Sequence, residues 1–190
     1  MEQWPDTELI TAYRKGTQAA LDVLIRRYLR PAYRFAARLT GDADDAADVV
    51  QDAFLKMWQK IGSFDATRPF KPWLFLIIRN TAFDRLKKKT PLAFSEMDEG
   101  DAGSETGKDI ADLRPLPPEV IGRQELGQEL SVLLQTLPPK SRAVVLLHET
   151  EELTFQDIAD ATREPLNTVK SRYRRAILAL RKELTGRLGQ

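Results

Sequence analysis

The sequence predicts an all-α protein made of two small helical domains that a flexible acidic linker joins. Apolar residues such as Leu21 and Leu24 recur at the spacing of one helix face along most of the chain. Residues 90–119 differ, because they are rich in proline, glycine and acidic residues and contain few apolar ones. We therefore expect helical domains at 1–89 and 120–190, with a linker at 90–119 between them.

Three helices are predicted in the first domain. Asp42 is expected to cap the second of them. Asp45, at the third position of that helix, is expected to return the capping bond to Asp42. Each helix shows an apolar stripe at a spacing of three and four residues. The stripes contain Leu21, Leu24, Ile25 and Tyr28 in the first helix, Val50, Phe54 and Met57 in the second, and Leu74, Ile77, Ile78 and Ala82 in the third.

The second domain is predicted to end in two helices of unequal length. Thr154 and Asp157 have the spacing of a capping box, which indicates the start of a short helix. Pro165 suits the first turn of a longer helix that follows after a brief turn. A short capped helix, a turn and a longer helix together are typical of a helix-turn-helix.

Composition excludes several classes of protein. The 190 residues are 30% charged and 42% hydrophobic, as in a globular chain. Without cysteine, and with His148 alone, the chain is expected to bind no metal and no other cofactor. It contains no GxSxG or phosphate-loop pattern, and we expect a packed or half-exposed His148 rather than a catalyst, so no enzymatic activity is predicted.

The sequence shows no targeting segment. Its start lacks the basic and apolar regions of a signal peptide. The longest purely apolar run, residues 73–78, is far too short to cross a bilayer. We expect a cytoplasmic protein without membrane insertion.

Charge is strongly segregated although the formal net charge is only +1. Residues 163–187 hold eight basic and two acidic side chains, and residues 79–89 hold five basic and one acidic. Residues 42–52 contain five aspartates and no base. Basic clusters attract phosphate by Coulomb attraction and by counterion release, so the two basic segments are candidate nucleic-acid surfaces. A solvated helix face is the alternative interpretation.

The last helix is predicted to be amphipathic, with a polar and basic outer face. Such a face at the start of a recognition helix can bond base edges and phosphates in the major groove. Leu178 also points outward and has no assigned role. At 100° per residue, Val169, Tyr173, Ile177, Leu180 and Leu184 lie on one side, and Asn167, Lys170, Ser171, Arg174 and Arg175 lie largely on the other.

Six short segments form an ordered set along the chain. In the first domain they are DAADVVQDAFLKMW at 45–58, FKPWLFLIIRN at 70–80 and DRLKK at 84–88. In the second domain they are LPPKSR at 137–142, LTFQDIA at 153–159 and PLNTVKSR at 165–172. This ordered set resembles bacterial sigma factors of the extracytoplasmic-function (ECF) group. Glu152, Arg163 and Asn167 occupy positions where the family often has glycine, and a left-handed turn at Arg163 would carry about 1 kcal/mol of strain.

The resemblance implies a sigma factor, which directs core RNA polymerase to promoters and assists initiation without catalysing a reaction. Its implied partners are core polymerase, promoter DNA and an anti-sigma factor, and it is expected to be a monomer when free. The linker then acts either as a spacer or as an acidic segment in the polymerase's RNA path.

The resemblance also implies three sets of site residues. Core polymerase would bind Asp48, Gln51 and Asp52, although aspartates also suit a first helical turn on dipole grounds alone. The −10 element would be held by Phe64, Arg68, Trp73, Arg79 and Asn80. The −35 element would be read by Asn167, Thr168, Lys170, Ser171, Arg172, Arg174 and Arg175. The neighbouring aromatic residues Phe54 and Trp58, and also Trp73, are expected to belong to the core.

Two other classes of function stay open from the residues alone. A conventional helix-turn-helix regulator would bind a duplex operator without polymerase, as a dimer on a palindrome. A helical adaptor would have no role on DNA, but the basic outer face of the last helix argues against it.

Overall fold

The computed structural model describes residues 1–89 and 124–188, and every regular element within them is helical. This confirms the all-α prediction with two helical domains. The predicted linker and residues 120–123 lie outside the described residues. The first domain contains α1 (Asp6–Arg14), α2 (Gln18–Thr40), α3 (Ala43–Lys60), a short 3₁₀ turn (Ile61–Ser63) and α4 (Phe70–Lys89). The second contains α5 (Gln124–Gln135), α6 (Pro139–Glu149), α7 (Phe155–Thr162) and α8 (Leu166–Leu188).

The junction of α2 and α3 determines where both helices lie. Gly41 ends α2 in a left-handed conformation with φ 78°, which glycine adopts without steric cost. Asp42 then caps α3 as predicted, because its Oδ1 accepts from the backbone N–H of Asp45 at 2.8 Å. The two helices therefore pack as antiparallel neighbours.

Asp45 does not return the capping bond, so that half of the prediction is wrong. Its carboxylate instead accepts from Arg85 Nε at 3.0 Å and from Lys89 Nζ at 2.5 Å, both on α4. The bonds from Lys89 and then from Arg85 lower the pKa of Asp45. This buried carboxylate joins the start of α3 to the end of α4. The two cations compensate its negative charge more strongly than one backbone N–H would.

The second domain begins its helix-turn-helix as predicted. Thr154 and Asp157 form the complete capping box of α7. Arg163 ends that helix in the left-handed region with φ 57°, and Glu152 has the same φ. The last helix, α8, begins at Leu166, and the carbonyl of Pro165 accepts its first bonds, from Thr168 and Val169. The turn between α7 and α8 is thus short and well determined.

His148 belongs to the packing of the second domain, as expected. Its ring stacks on Phe155 with 4.1 Å between centroids, and its Nδ1 lies 2.8 Å from the carbonyl oxygen of Leu153. Tyr173 of α8 packs edge-on against both rings. The cluster fixes α8 against α6 and α7.

The two domains are in direct contact. α2 and α4 of the first domain pack against α6 and α7 of the second. Gln135 Nε2 donates to the carbonyl of Arg38 at 2.9 Å, and Lys71 pairs with Glu151 at 3.5 Å.

Among the described residues, no helix is long and apolar enough to cross a membrane.

Candidate nucleic-acid and protein interfaces

One exposed stripe runs along the outer face of α3. Asp48, Gln51 and Asp52 are all exposed and lie one turn apart on this face. Leu55 and Trp58 extend it in the same direction, with 49% and 52% of their surfaces exposed. We call these five residues the α3 stripe. It offers carboxylates at one end and apolar surface at the other.

Trp58 lies on the surface, so the expectation that it belongs to the core is wrong. Its indole Nε1 donates to the hydroxyl of Tyr13 at 2.9 Å, which holds the ring against α1 without burying it. Phe54, which was expected in the core, is only partly buried. Helical spacing could have identified Leu55 and Trp58, because they follow Asp48 by seven and ten residues.

An apolar groove adjoins the α3 stripe, and the sequence did not indicate it. The groove has a volume of about 620 Å³ and lies between α2 and α3. Leu29 and Tyr33 line it although 48% and 41% of their surfaces are exposed. Such large exposed apolar groups in one concave surface are typical of a protein-binding site. The remaining lining residues are Arg26, Arg30, Ala47, Val50 and Gln51.

Arg85 shares the acidic end of the stripe. Its Nη2 donates to Asp48 Oδ2 at 2.5 Å, while its Nε bonds the buried Asp45. The side chain of Asp48 nevertheless stays 52% exposed. One oxygen of Asp48 is therefore still available to a basic group on a partner.

The loop between the 3₁₀ turn and α4 rests on an aromatic cluster. Phe64 is only 6% exposed, and its ring packs 5.7 Å from Phe70 and 4.7 Å from Trp73. Arg14 donates to the carbonyls of Ile61 and Phe64 and so ties this loop to α1. Phe64 presents no free ring face here, so we reinterpret it as a support of the loop. Trp73 is half-buried in the same cluster, close to the core position expected for it.

The other predicted −10 residues are not in one place. The side chain of Arg68 is 76% exposed, and it lies 3.6 Å from Asp65. Asn80 is exposed on α4. Arg79 is only 8% exposed, lies over the Phe83 ring at 4.4 Å and donates to Asn80. The structure thus exposes Arg68 and Asn80 to a nucleic acid but covers Arg79.

The covering of Arg79 comes from the second domain. In the contact between the domains, α4 packs against α7. Burial lowers the pKa of Arg79, the charge of Glu164 raises it, and that of Arg172 lowers it again. A contact of Arg79 with DNA therefore requires the domains to separate.

The outer face of α8 is exposed as predicted. Asn167, Ser171, Arg174 and Arg175 are exposed. Thr168 and Lys170 are half-buried at its edge. The opposite side of the helix packs into the domain, with Val169, Tyr173, Ile177 and Leu180 buried and Leu184 partly buried.

Arg172 is the exception among the predicted −35 residues. It is 4% exposed, and its Nη1 pairs with Glu164 in the turn before α8. The described conformation does not present its guanidinium to a duplex, because it holds the turn instead. Leu178 is 51% exposed on the outer side, as expected.

Comparison with known proteins gives matches to both domains. The sigma-70 region 2 family matches residues 24–91, and sigma-70 region 4 matches residues 127–180. The chain is 32% identical to the ECF RNA polymerase sigma factor SigW of Bacillus subtilis, over 92% of this chain and 94% of that protein.

Two solved structures share the fold. CnrH in complex with the cytosolic domain of CnrY has a TM-score of 0.67 and 27% identity, over 95% of this chain and 97% of that one. The sigma factor RpoE in complex with the anti-sigma factor NepR, from Bartonella quintana, has a TM-score of 0.62 and 28% identity, over 85% and 96%. The order of helices, the exposed face of α8 and these similarities lead to one conclusion: the chain belongs to the ECF group of RNA polymerase sigma factors.

Proposed function

We propose that this sigma factor binds core RNA polymerase through the α3 stripe, holds the opened −10 element with its first domain, and reads the −35 element with α8. The observation that carries the proposal is that one chain exposes both an acidic and apolar stripe on α3 and a polar and basic face on α8. A conventional helix-turn-helix regulator needs only the second of these. We further propose that the protein is not an enzyme and that it acts as one copy in the cytoplasm, where polymerase and DNA are.

The α3 stripe and the groove beside it favour a helical partner with basic and apolar side chains. The carboxylates of Asp48 and Asp52 would accept hydrogen bonds from lysine or arginine. Hydrogen bonds between charged groups are stronger than those between neutral groups. Leu55, Trp58 and the groove would bury the apolar part of the same partner, which is the anatomy of a protein interface with a polar rim. We therefore expect core polymerase to present a basic helical face to this stripe.

The second domain offers the chemistry of duplex reading. Asn167 and Arg174 carry groups that bond two atoms of a base edge at once, as amides do with adenine and guanidinium groups with guanine. Both are exposed on the outer face of α8. Lys182 lies farther along the helix and is also exposed, so we expect it to meet a phosphate.

We also propose that an anti-sigma factor controls this protein. The support is that both of these solved structures are complexes, one of CnrH with the cytosolic domain of CnrY and one of the sigma factor RpoE with the anti-sigma factor NepR. The exposed apolar groups Leu29 and Tyr33 would give such a regulator a surface that it shares with polymerase.

Run-off transcription tests the proposed function. The purified protein is mixed with core polymerase and a promoter library, and we expect transcripts from a defined subset of promoters that core polymerase alone does not produce. An operator-binding regulator would instead bind duplex DNA without polymerase and yield no such transcripts.

We predict that Arg68→Ala and Asn80→Ala each weaken promoter opening about tenfold, with polymerase binding retained. Each would remove a bond to the opened strand, and a base-edge contact contributes about 1–3 kcal/mol. Permanganate reactivity of thymines in the −10 element measures the effect. The controls are Lys15→Ala and Gln18→Ala, which remove exposed groups of the same kinds elsewhere on the first domain.

Phe64→Ala is not a suitable variant for this test. Because the ring is buried against Phe70 and Trp73, its removal should destabilise the first domain by about 3–5 kcal/mol.

If the Arg68→Ala and Asn80→Ala variants give the same permanganate reactivity of thymines as the parent, the opened strand is bound elsewhere.

A further inference from the structure

The first helix, α1, precedes the residues that match sigma-70 region 2, which begin at residue 24, and the proposed binding surfaces leave it without a role. It is nevertheless firmly mounted on α2. Leu9 and Ile10 are fully buried. Asp6, its first residue, accepts from the guanidinium of Arg27 and from the hydroxyl of Tyr28, both on α2. This helix is therefore a rigid support whose last turn can hold other parts of the first domain.

The last residue of α1, Arg14, holds the start of the loop between the 3₁₀ turn and α4. We call residues 64–69 the −10 loop. The Nε and Nη2 atoms of Arg14 both donate to the carbonyl of Ile61, at 3.3 and 2.9 Å. The same Nη2 also donates to the carbonyl of Phe64. One planar guanidinium thus bonds two carbonyls that lie three residues apart on another segment of the chain.

Two different anchors act on Phe64. Its ring packs against Phe70 and Trp73, which fixes the position of the side chain. The bond from Arg14 fixes its carbonyl oxygen. Because the peptide unit is planar, a fixed carbonyl also sets the direction in which the chain continues into Asp65. Arg14 therefore determines how the −10 loop leaves the aromatic cluster.

Asp65 shapes the loop beyond Phe64. Its Oδ1 accepts from the backbone N–H and from the hydroxyl of Thr67, at 3.0 and 2.7 Å. Its carbonyl accepts from the backbone N–H of Arg68 at 3.0 Å. Hydrogen bonds from Thr67, and then the charges of Arg68 and Arg14, hold the pKa of Asp65 below its ordinary value. The backbone of Arg68 is thus fixed relative to Asp65, and Asp65 is fixed relative to α1.

The side chain that this series of bonds presents to solvent is that of Arg68, of which 76% is exposed. A loop that visits several conformations binds its ligand more weakly, in proportion to the fraction of time it spends in the competent one. A loop that is already held in one conformation avoids this loss. The order of the −10 loop should therefore set how well Arg68 binds the opened strand.

We propose that Arg14 is a positioning residue for promoter opening, which holds the −10 loop in the conformation from which Arg68 meets the opened strand. Arg14 is itself exposed, so its replacement takes no apolar surface from the core. The inference rests on the proposed function for the role of Arg68, whereas the order of the loop can be measured without it.

Backbone relaxation of the full-length protein by nuclear magnetic resonance measures that order directly. We expect order parameters of about 0.85 at the amides of Thr67 and Arg68 in the parent, and below about 0.6 in Arg14→Met. Arg14→Lys keeps a cation but lacks the planar fork, so its loop should have intermediate order. Lys15→Met removes the neighbouring exposed cation and is the control, with the loop order of the parent.

Promoter opening by the holoenzyme supplies the second measurement. Arg14→Met should reduce the permanganate reactivity of thymines in the −10 element about tenfold, the effect of losing one hydrogen bond to a charged group. Arg14→Lys should restore part of it, and Lys15→Met should match the parent. Co-elution with core polymerase should not change in any of the three.

A double variant decides whether Arg14 acts through Arg68. If it does, Arg14→Met should have little further effect on promoter opening in a protein that already carries Arg68→Ala. Losses that multiply to about a hundredfold, with a salt slope reduced by roughly one unit in Arg14→Met, would show a direct phosphate contact and overturn the proposal.

An Arg14→Met loop as ordered as that of the parent, or a parent loop that is already mobile, would also overturn it. A parent that opens no promoter refutes the proposed function instead. In that case a loop that loses its order in Arg14→Met still supports the structural role of Arg14.

Discussion

We expect that replacing Asp48, Gln51 and Asp52 together with alanine abolishes co-elution with core RNA polymerase and leaves the helical content near normal. The three side chains are exposed on α3 and contribute no apolar surface to the core. The fold loses only the pair between Asp48 and Arg85, and a partly exposed ion pair is worth about 0–1 kcal/mol. Polymerase, in contrast, loses two carboxylates and an amide from the centre of the proposed interface.

A matched variant separates this effect from a general loss of charge. Glu8, Gln18 and Asp22 are also two acids and one glutamine, exposed on α1 and α2. Their triple alanine variant should co-elute as the parent does. Gel filtration and circular dichroism of both proteins complete the experiment, and full co-elution of the Asp48, Gln51 and Asp52 variant would remove α3 from the polymerase interface.

The second large effect is expected at α8, where two substitutions should weaken promoter binding in different ways. Arg174→Ala should relax the sequence preference at one or two positions of the −35 element, because a base-edge contact contributes about 1–3 kcal/mol of discrimination. Lys182→Ala should weaken all sequences about equally and reduce the salt slope by roughly one unit, because a phosphate contact carries no sequence information. Binding of the holoenzyme to promoters with a randomised −35 element, at several salt concentrations, measures both.

Further substitutions decide whether α8 is the reader at all. Lys170→Ala and Ser171→Ala change its half-buried edge and its exposed face near the start of the helix. If these two variants and Arg174→Ala all select the same sequence as the parent, α8 does not read the −35 element. A solvated basic face would give only small effects, independent of sequence, for every variant.

Prediction from sequence succeeded where neighbouring residues decide the outcome. The cap at Asp42 and the capping box at Thr154 each depend on a few consecutive residues. The two faces of α8 follow from a period of 3.6 residues, so the buried Val169 and the exposed Arg174 were both correctly placed.

The tertiary structure alone decided which polar and aromatic groups are accessible. Asp45 pairs with Lys89 across 44 residues, and Arg142 bonds Leu39 across 103, distances at which helical periodicity carries no information. For the same reason Arg79 is covered, although its place on α4 gave no sign of this, and Trp58 is exposed where an aromatic residue was expected to be buried. Periodicity and capping by themselves predicted α2, α3, α4, α7 and α8 and the buried face of α8, but they did not predict α1. The contact between the domains, and with it which candidate residues can reach DNA in this conformation, was decided only by contacts far apart in the chain.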